Sequence, residues 1–318
     1  QSEPIETDWR AYAQLTAEHQ DGDGGIDFGA DRIRFRGDIR HGRLSGAVQL
    51  DLGVRNLGDS EPGSVANVIN DLYLNYDIDG RHSVRFGEFK MPLGMDFNVS
   101  GGSLDITKRG IEAGLVLQRN LGLMMSGRNL GSFGYDVGVF NIAGRSPATD
   151  YLESQEGDDN AFAVRGHFDR GNWHAELAVG QTPEAGGPGT ADYEVADFGL
   201  RYMADGWNAK FEWIDGENVR GNSLREEDVF YVHGGYSLNP RLELVARHYE
   251  GESRIAGSAT ELGNTYLGIT WQAHESERLY GRLQVNYVMA SGDEAAYTGV
   301  RGFRDDAVLV QFQFDVRK

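Results

Sequence analysis

The apolar residues of this chain alternate with polar residues over most of its length and rarely occur in runs. One face of the segment 207–213 carries Trp207, Ala209, Phe211 and Trp213, and the other face carries Asn208, Lys210 and Glu212. A period of two residues is typical of a β-strand with two unlike faces. No stretch of about 20 apolar residues is present that could form a membrane-crossing helix. The pattern therefore predicts an all-β chain.

Sixteen segments show this alternation, and none shows a sustained helical period. Their predicted bounds are 9–18, 28–37, 44–54, 66–76, 83–90, 117–127, 133–142, 161–168, 173–181, 194–203, 207–214, 229–237, 241–249, 264–272, 279–289 and 306–316. The links between them alternate strictly between short and long, and both termini fall at the end with the short links. An even number of antiparallel strands joined in this way is typical of a bacterial outer-membrane barrel.

The direction of the two strand faces separates a membrane barrel from a soluble one. A soluble barrel of this size would enclose an apolar void too wide for side chains to fill. With the apolar face toward lipid, the polar face instead lines water. We therefore predict one domain over residues 1–318, a 16-stranded antiparallel transmembrane β-barrel with short periplasmic turns and long extracellular loops. A soluble β-sandwich, propeller or jelly roll is the alternative.

Composition and motifs exclude several kinds of function. The chain has no cysteine, so it forms neither a disulfide nor a thiolate metal site. Its 49 acidic and 30 basic residues give a net charge of −19, which argues against nucleic acid as a partner. No basic segment followed by an apolar one stands at Gln1, so we expect a mature form. Without a G-x-S-x-G, H-E-x-x-H, P-loop or G-x-G-x-x-G motif, we expect neither catalysis nor a cofactor.

Two features raise the question of a metal site. The Asp/Gly-rich segment 21–27 suggests calcium, but it departs from the EF-hand pattern, and a tight turn with solvated acids is the better interpretation. The eight histidines are scattered. We expect His167, His174 and His233 to face the lumen, and none stands at a metal-ligand spacing. The prediction is that the chain has no metal site.

Several segments in the first half of the chain carry a resemblance to a known family. Residues 72–76 read LYLNY, residues 82–94 read HSVRFGEFKMPLG, residues 119–127 read RNLGLMMSG and residues 135–141 read YDVGVFN, with RIRFRG upstream at 32–37. Over about residues 28–168, the chain resembles the phosphate-selective porin O and P family. The resemblance implies a sixteen-stranded barrel, usually a trimer, whose third long loop folds into the lumen.

The link from Met91 to Val116 is the longest in the chain. It contains the apolar residues Leu93, Phe97, Leu104, Ile106 and Ile111, which are not expected in a solvated loop tip. Together with the resemblance, this composition predicts that residues 91–116 fold against the barrel wall and constrict the pore. The alternative is an outward loop that packs against a neighbouring subunit.

Charged residues on the polar faces give the candidate selectivity residues. The inward faces carry similar numbers of basic and acidic residues, so the acidic excess is expected in the long loops, as at Asp59, Asp158 and Glu226. The candidate pore-lining and selectivity residues are Arg32, Arg34, Arg36, Arg85, Lys90, Lys108, Arg109, Asp51, Asp71, Asp105 and Glu112. Charged side chains around a narrow pore set ion selectivity. The alternative is that the arginines only pair with Asp51 and Asp71.

The expected function is an outer-membrane porin, a passive diffusion channel for small hydrophilic solutes or ions with a weak preference for anions. Its expected partners are outer-membrane lipid, lipopolysaccharide and two further copies of the chain. One alternative is an outer-membrane barrel enzyme, which would need a serine beside an outward histidine such as His248. Another is a structural barrel whose plugged lumen does not conduct.

Overall fold

The computed structural model describes residues 4–22, 24–53, 68–141, 160–183, 189–292 and 302–318. Within these ranges, sixteen antiparallel strands form one closed barrel in which each strand pairs with its neighbours in sequence and β1 pairs with β16. The predicted fold class is confirmed. Parts of three predicted strands, at 54, 66–67 and 142, lie outside the described residues.

The strands cover most of the described chain. They are β1 Glu6–Gln20, β2 Asp27–His41, β3 Leu44–Asp51, β4 Ile69–Asp77, β5 His82–Lys90, β6 Arg119–Leu130, β7 Phe133–Phe140, β8 Ala161–Arg170, β9 Trp173–Thr182, β10 Tyr193–Ala204, β11 Trp207–Glu217, β12 Arg225–Asn239, β13 Leu242–Ile255, β14 Ser258–Glu275, β15 Leu279–Gly292 and β16 Ala307–Arg317. The described helical segments are α1 Met95–Asn98 and the 3-10 turns Gly101–Ser103, Ile111–Gly114 and Val219–Gly221. None of these helices has the length and apolar character needed to cross a membrane.

Strands β13 and β14 extend well beyond their predicted ends, and this corrects one predicted loop. The link at 250–263 was expected to be long, but a two-residue turn at Ala256 and Gly257 joins the strands. Both residues have positive φ, 51° and 83°, as a tight hairpin turn requires. The extensions carry polar residues on both faces because both faces lie in water there. Alternation between lipid and lumen therefore could not mark these strand ends.

The two faces of the wall have the inverse polarity of a soluble barrel. In β16, the outward Val310, Phe312 and Phe314 are 36%, 42% and 45% exposed, whereas the inward Gln311 and Gln313 are each 1% exposed. The sixteen described strands pair in a closed ring, as a wall in hydrocarbon requires. The barrel and its apolar outer surface place the chain in the bacterial outer membrane.

Aromatic pairs stand on the outer surface at the ends of the strands near the short turns. The rings of Trp173 and Tyr202 lie 4.7 Å apart, and those of Trp207 and Tyr236 lie 4.5 Å apart. Tryptophan and tyrosine favour the boundary between hydrocarbon and head groups, because each ring has an apolar body and a polar atom. These pairs mark the membrane boundary on the side of the short turns.

We expect the long links to face the outside of the cell and the short turns to face the periplasm. Because the chain has no cysteine, a single Ser223→Cys or Asn172→Cys substitution creates a unique label site at an exposed position. A membrane-impermeant maleimide should label Ser223→Cys on intact cells and label Asn172→Cys only after the outer membrane is permeabilised. The opposite labelling pattern would reverse the orientation.

Candidate functional site

Residues Met91–Val116, named here the inner loop, lie inside the barrel against the wall formed by β9 to β16 and β1. The Gly94 amide donates to the Asp197 carboxylate at 2.9 Å, and the Thr107 amide donates to the Asn286 side chain at 2.8 Å. The Gln14 side chain donates to the Gly101 carbonyl at 3.0 Å. The loop is thus bonded to the wall along its length, and free space remains on the side of β2 to β8.

Apolar packing holds the first part of the inner loop on β9 and β10. Leu93 is fully buried and Met95 is 6% exposed. The wall opposite them carries Gly180 and Gly199. A Cβ atom at Gly180 would lie 2.6 Å from Leu93 Cδ1, and one at Gly199 would lie 2.9 Å from Met95 Cβ, which is too close in both cases. Inward Ala161, Ala163 and Ala178 are also buried in this cluster. Small residues on the inward faces of β8 to β10 make room for the loop, and they are the sequence signal for the place where it packs.

A buried ionic cluster anchors the loop to β11 and β13. The Asp96 carboxylate accepts hydrogen bonds from Lys210 and from Arg247, both at 2.9 Å. Asp96 and Arg247 are each 1% exposed. Burial alone would raise the pKa of the Asp96 carboxyl, but the charges of Arg247 and Lys210 hold it below its usual range. Removing one member of a buried pair typically costs about 3–5 kcal/mol, so this cluster fixes the loop strongly.

The two acidic candidates of the inner loop, Asp105 and Glu112, lie on the side of the loop that faces this ionic cluster. Asp105 accepts hydrogen bonds from Lys210 at 2.5 Å and Arg247 at 3.0 Å. Glu112 is 1% exposed, and burial together with the charge of Asp96 raises the pKa of its carboxyl. Neither carboxyl lines the space opposite the loop.

That space is a cavity of about 390 Å³ between the inner loop and the strands β1 to β8. The charged side chains that line it are Arg10, Arg34, Arg36, Arg85, Lys90, Arg119, Arg128, Arg165 and Asp71. Among the described residues, eight basic side chains therefore face one carboxylate along this lining. Of the candidate residues, the structure brings Arg34, Arg36, Arg85, Lys90 and Asp71 together here.

Two of the arginines pair with the acids named in the alternative interpretation. Arg34 donates to Asp51 at 2.7 Å, and Arg36 lies 3.6 Å from Asp71. Arg119 also donates to Asp71, at 2.8 Å. Cross-strand pairing is thus part of the arrangement. It neutralises some of the positive charge but leaves more cations than carboxylates.

Arg85 and Lys90 are held without a carboxylate among the residues that the structure describes. The Arg85 guanidinium lies 4.3 Å from the centre of the Tyr73 ring. Lys90 donates to the carbonyls of Phe97 and Val99, at 2.5 Å and 3.0 Å. An aromatic face and carbonyl oxygens stabilise a cation without neutralising its charge. The Arg85 guanidinium therefore contributes its positive charge beside the cavity.

Three other candidate cations lie outside the cavity lining. Arg32 donates to the Gln14 side chain at 2.7 Å, and Lys108 forms an ion pair with Glu18. Arg109 donates to the Phe97 carbonyl at 3.0 Å and binds the Val99 carbonyl as well. Arg32 thus joins two strands of the wall, Lys108 ties the loop to the wall, and Arg109 ties the loop to itself.

Four cations of the lining were not among the candidates. Arg10 and Arg165 stand on inward faces, so the alternation already indicated their direction. Arg165 donates to Asp136 at 2.7 Å, and Arg10 donates to Asp315 at 2.7 Å. The other two, Arg119 and Arg128, stand near the two ends of β6. Only the closed barrel shows that all four reach the space left free by the loop.

Other sequence predictions fall elsewhere. The acidic residues Asp59 and Asp158 and the third residue of the 21–27 segment, Asp23, lie outside the described residues. Glu226 was expected in a long loop but lies at the start of β12, where its carboxylate is 3.5 Å from Arg254. His248, the outward histidine, contacts Thr265 Oγ1 at 2.8 Å. Its hydrogen-bond partner is a threonine, whereas the barrel-enzyme alternative requires a serine.

Comparison with known sequences gives no match. No protein-family profile matches the chain. No curated protein matches it either.

Comparison with solved structures gives a consistent fold. An anion-selective porin from Comamonas acidovorans has a TM-score of 0.65 at 13% identity, with 99% of each chain covered. The outer membrane channel DcaP of Acinetobacter baumannii has a TM-score of 0.66 at 12% identity, with 98% of this chain and 97% of that chain covered. OmpT, an outer membrane protein of Vibrio cholerae in a trimer form, has a TM-score of 0.68 at 13% identity, with 99% and 100% covered. At these identities the likeness establishes the fold, which is that of Gram-negative outer-membrane porins.

Proposed function

We propose that the protein is an outer-membrane porin, a passive diffusion channel for small hydrophilic solutes with a weak preference for anions. The observation that carries the proposal is the cavity beside the inner loop, where eight basic side chains and one carboxylate, counted over the described part of the chain, line the free space. Charged groups at the narrow part of a pore act over a few ångströms with little screening, so they set the selectivity.

The net charge of the chain does not oppose this proposal. Acidic groups in the outer loops face bulk solvent, where the Debye length is about 8 Å at physiological salt. Inside the barrel, Asp96 and Asp105 are neutralised by Lys210 and Arg247 on the far side of the loop. The anion preference should therefore be weak at moderate salt and smaller, or inverted, at low salt, because the acidic loops are then less screened.

The wider setting of the proposal is a trimer in the outer membrane, in contact with lipid and lipopolysaccharide. The trimer form of a structural neighbour supports such an assembly. The resemblance of residues 28–168 to the phosphate-selective porin O and P family remains a narrower prediction. We do not extend phosphate selectivity to this chain, because the arginines of β2 are partly neutralised by Asp51 and Asp71.

Two alternatives make different predictions. A structural barrel with a plugged lumen would give no single-channel current. An outer-membrane enzyme would require a nucleophile on the outer surface, and the contacts of His248 do not favour one. We propose a protein without catalytic activity, and single-channel recording in a planar bilayer separates a porin from both alternatives.

Replacing both Arg34 and Arg85 with glutamine removes two of the eight cations of the cavity lining. We expect the anion-to-cation permeability ratio to fall by about twofold or more, because these charges stand beside the permeating ion. The reversal potential in a salt gradient across a planar bilayer measures this ratio.

The matched control is the double variant Arg241→Gln and Arg278→Gln, which also removes two positive charges, but from exposed residues just before β13 and β15. It should leave the ratio unchanged. Firm cation selectivity of the native channel at high salt, or an unchanged ratio in the double variant of Arg34 and Arg85, would show that the cavity arginines do not set the selectivity.

Removing residues 99–108 and joining the ends with a short glycine and serine linker should raise the single-channel conductance severalfold. A short linker can span the gap between residues 98 and 109, because the Arg109 side chain already reaches the Phe97 carbonyl at 3.0 Å. Asp96 stays in place and keeps the root of the loop anchored. A difference in migration between heated and unheated samples on a denaturing gel checks that the barrel has folded. A folded variant with unchanged conductance would show that the loop does not limit the current.

A further inference from the structure

A cluster of metal-binding side chains lies at the short-turn end of the lumen, away from the inner loop. His167 near the end of β8 and His174 near the start of β9 flank the turn at 171–172. Their imidazole rings lie side by side, with centres 5.9 Å apart and planes inclined by 28°. Antiparallel pairing brings these two residues together although six others separate them in sequence. The prediction of no metal site rested on the spacing of the histidines along the chain, and this spacing does not show which residues strand pairing brings together.

Asp169 lies between the two imidazole rings. Its Oδ2 is 2.9 Å from Nδ1 of His167, and its Oδ1 is 2.7 Å from Nδ1 of His174. One donor atom from each of the three side chains lies within 4.8 Å of the others. Tetrahedral zinc, with bonds of about 2.0–2.1 Å, holds its donor atoms about 3.4 Å apart. Small side-chain rotations would therefore bring all three donors onto one ion.

The surroundings of His174 match those of a metal ligand. Its second ring nitrogen, Nε2, lies 3.0 Å from the Glu176 carboxylate. A histidine that binds a metal usually donates its other ring N–H to a carboxylate or carbonyl, which fixes the tautomer and orients the ring. Glu176 is 5% exposed and lies 3.6 Å from Arg165, which holds it in place. Glu176 therefore acts as an orienting group and not as a ligand.

We propose that His167, Asp169 and His174 form a site for a divalent transition-metal ion, with Zn²⁺ as the best fit. Two imidazole nitrogens and one carboxylate oxygen are ligands that zinc takes readily, and calcium and magnesium prefer all-oxygen sites. Asp169 is exposed, which leaves the fourth position to water. The metal would replace the hydrogen-bonded contacts between Asp169 and the two Nδ1 atoms.

The position of the site predicts that bound zinc also affects the channel current. His167 and His174 lie on the inward faces of their strands, on the side of the short turns, which we expect to be periplasmic. A bound Zn²⁺ adds two positive charges to this mouth of the lumen. If the channel conducts as proposed, zinc added on the short-turn side should change the current at lower concentration than zinc added on the other side.

Binding is tested first, because it does not depend on the channel function. Isothermal titration of the metal-free, detergent-solubilised barrel with ZnCl₂ should give saturable binding of one ion per chain. Titration with CoCl₂ should give the visible absorption of a tetrahedral site, which Zn²⁺ then removes. Native protein without saturable binding would overturn the proposal.

Substitutions locate the ligands. His167→Gln and His174→Gln should each abolish saturable binding, and Glu176→Gln should weaken it by about tenfold because the orienting carboxylate is lost. The matched control is His248→Gln, which removes an exposed histidine from the outer surface and should bind zinc like the native protein. Binding that survives both His167→Gln and His174→Gln would place the zinc elsewhere.

The current measurement separates failure of this site from failure of the proposed function. Zinc binding without any single-channel current would keep the site and refute the porin. A current that is unaffected by zinc, in protein that fails to bind zinc, would keep the porin and refute the site.

Discussion

The structure depends first on the need to hydrogen-bond every backbone amide inside hydrocarbon. An unpaired N–H or C=O group in lipid costs several kcal/mol, so a wall of strands must close on itself. The pairing of β1 with β16 satisfies this condition over Arg10 to Gln20. Closure in turn gives each strand one face toward lipid and one toward the lumen, which is why Phe312 and Phe314 point outward while Gln311 and Gln313 are buried inside.

A barrel of this width would leave a wide aqueous lumen, and the inner loop divides it. On one side, apolar packing and the pairs of Asp96 with Lys210 and Arg247 attach the loop to the wall. These charges are buried and mutually neutralised, so they hold the loop rather than attract solutes. On the other side, the Arg85 guanidinium keeps its charge beside the free space. In the channel that we propose, anchoring and selectivity are thus separate tasks of charged residues within one lumen.

The fold was predicted well because its signal is local. Alternation reports the direction of each side chain directly, and it held even for the pairs of neighbouring charges in β2, such as Arg34 and Arg36. It failed at the ends of β13 and β14, where water on both faces removes the pattern. The candidate site was harder to predict, because Lys108 and Arg109 turned to loop and wall contacts that no spacing indicates.

The sequence by itself determined the number of strands, their faces and the inward direction of most of the charges, since these follow from a period of two residues. Only the tertiary structure decided which charges meet. It placed Asp96 on Lys210, 114 residues away in the chain, and gathered Arg10, Arg119 and Arg165 around one cavity. It also brought His167 and His174 to one carboxylate across a hairpin. Such contacts depend on the closure of the barrel and the path of the inner loop, which local sequence patterns do not encode.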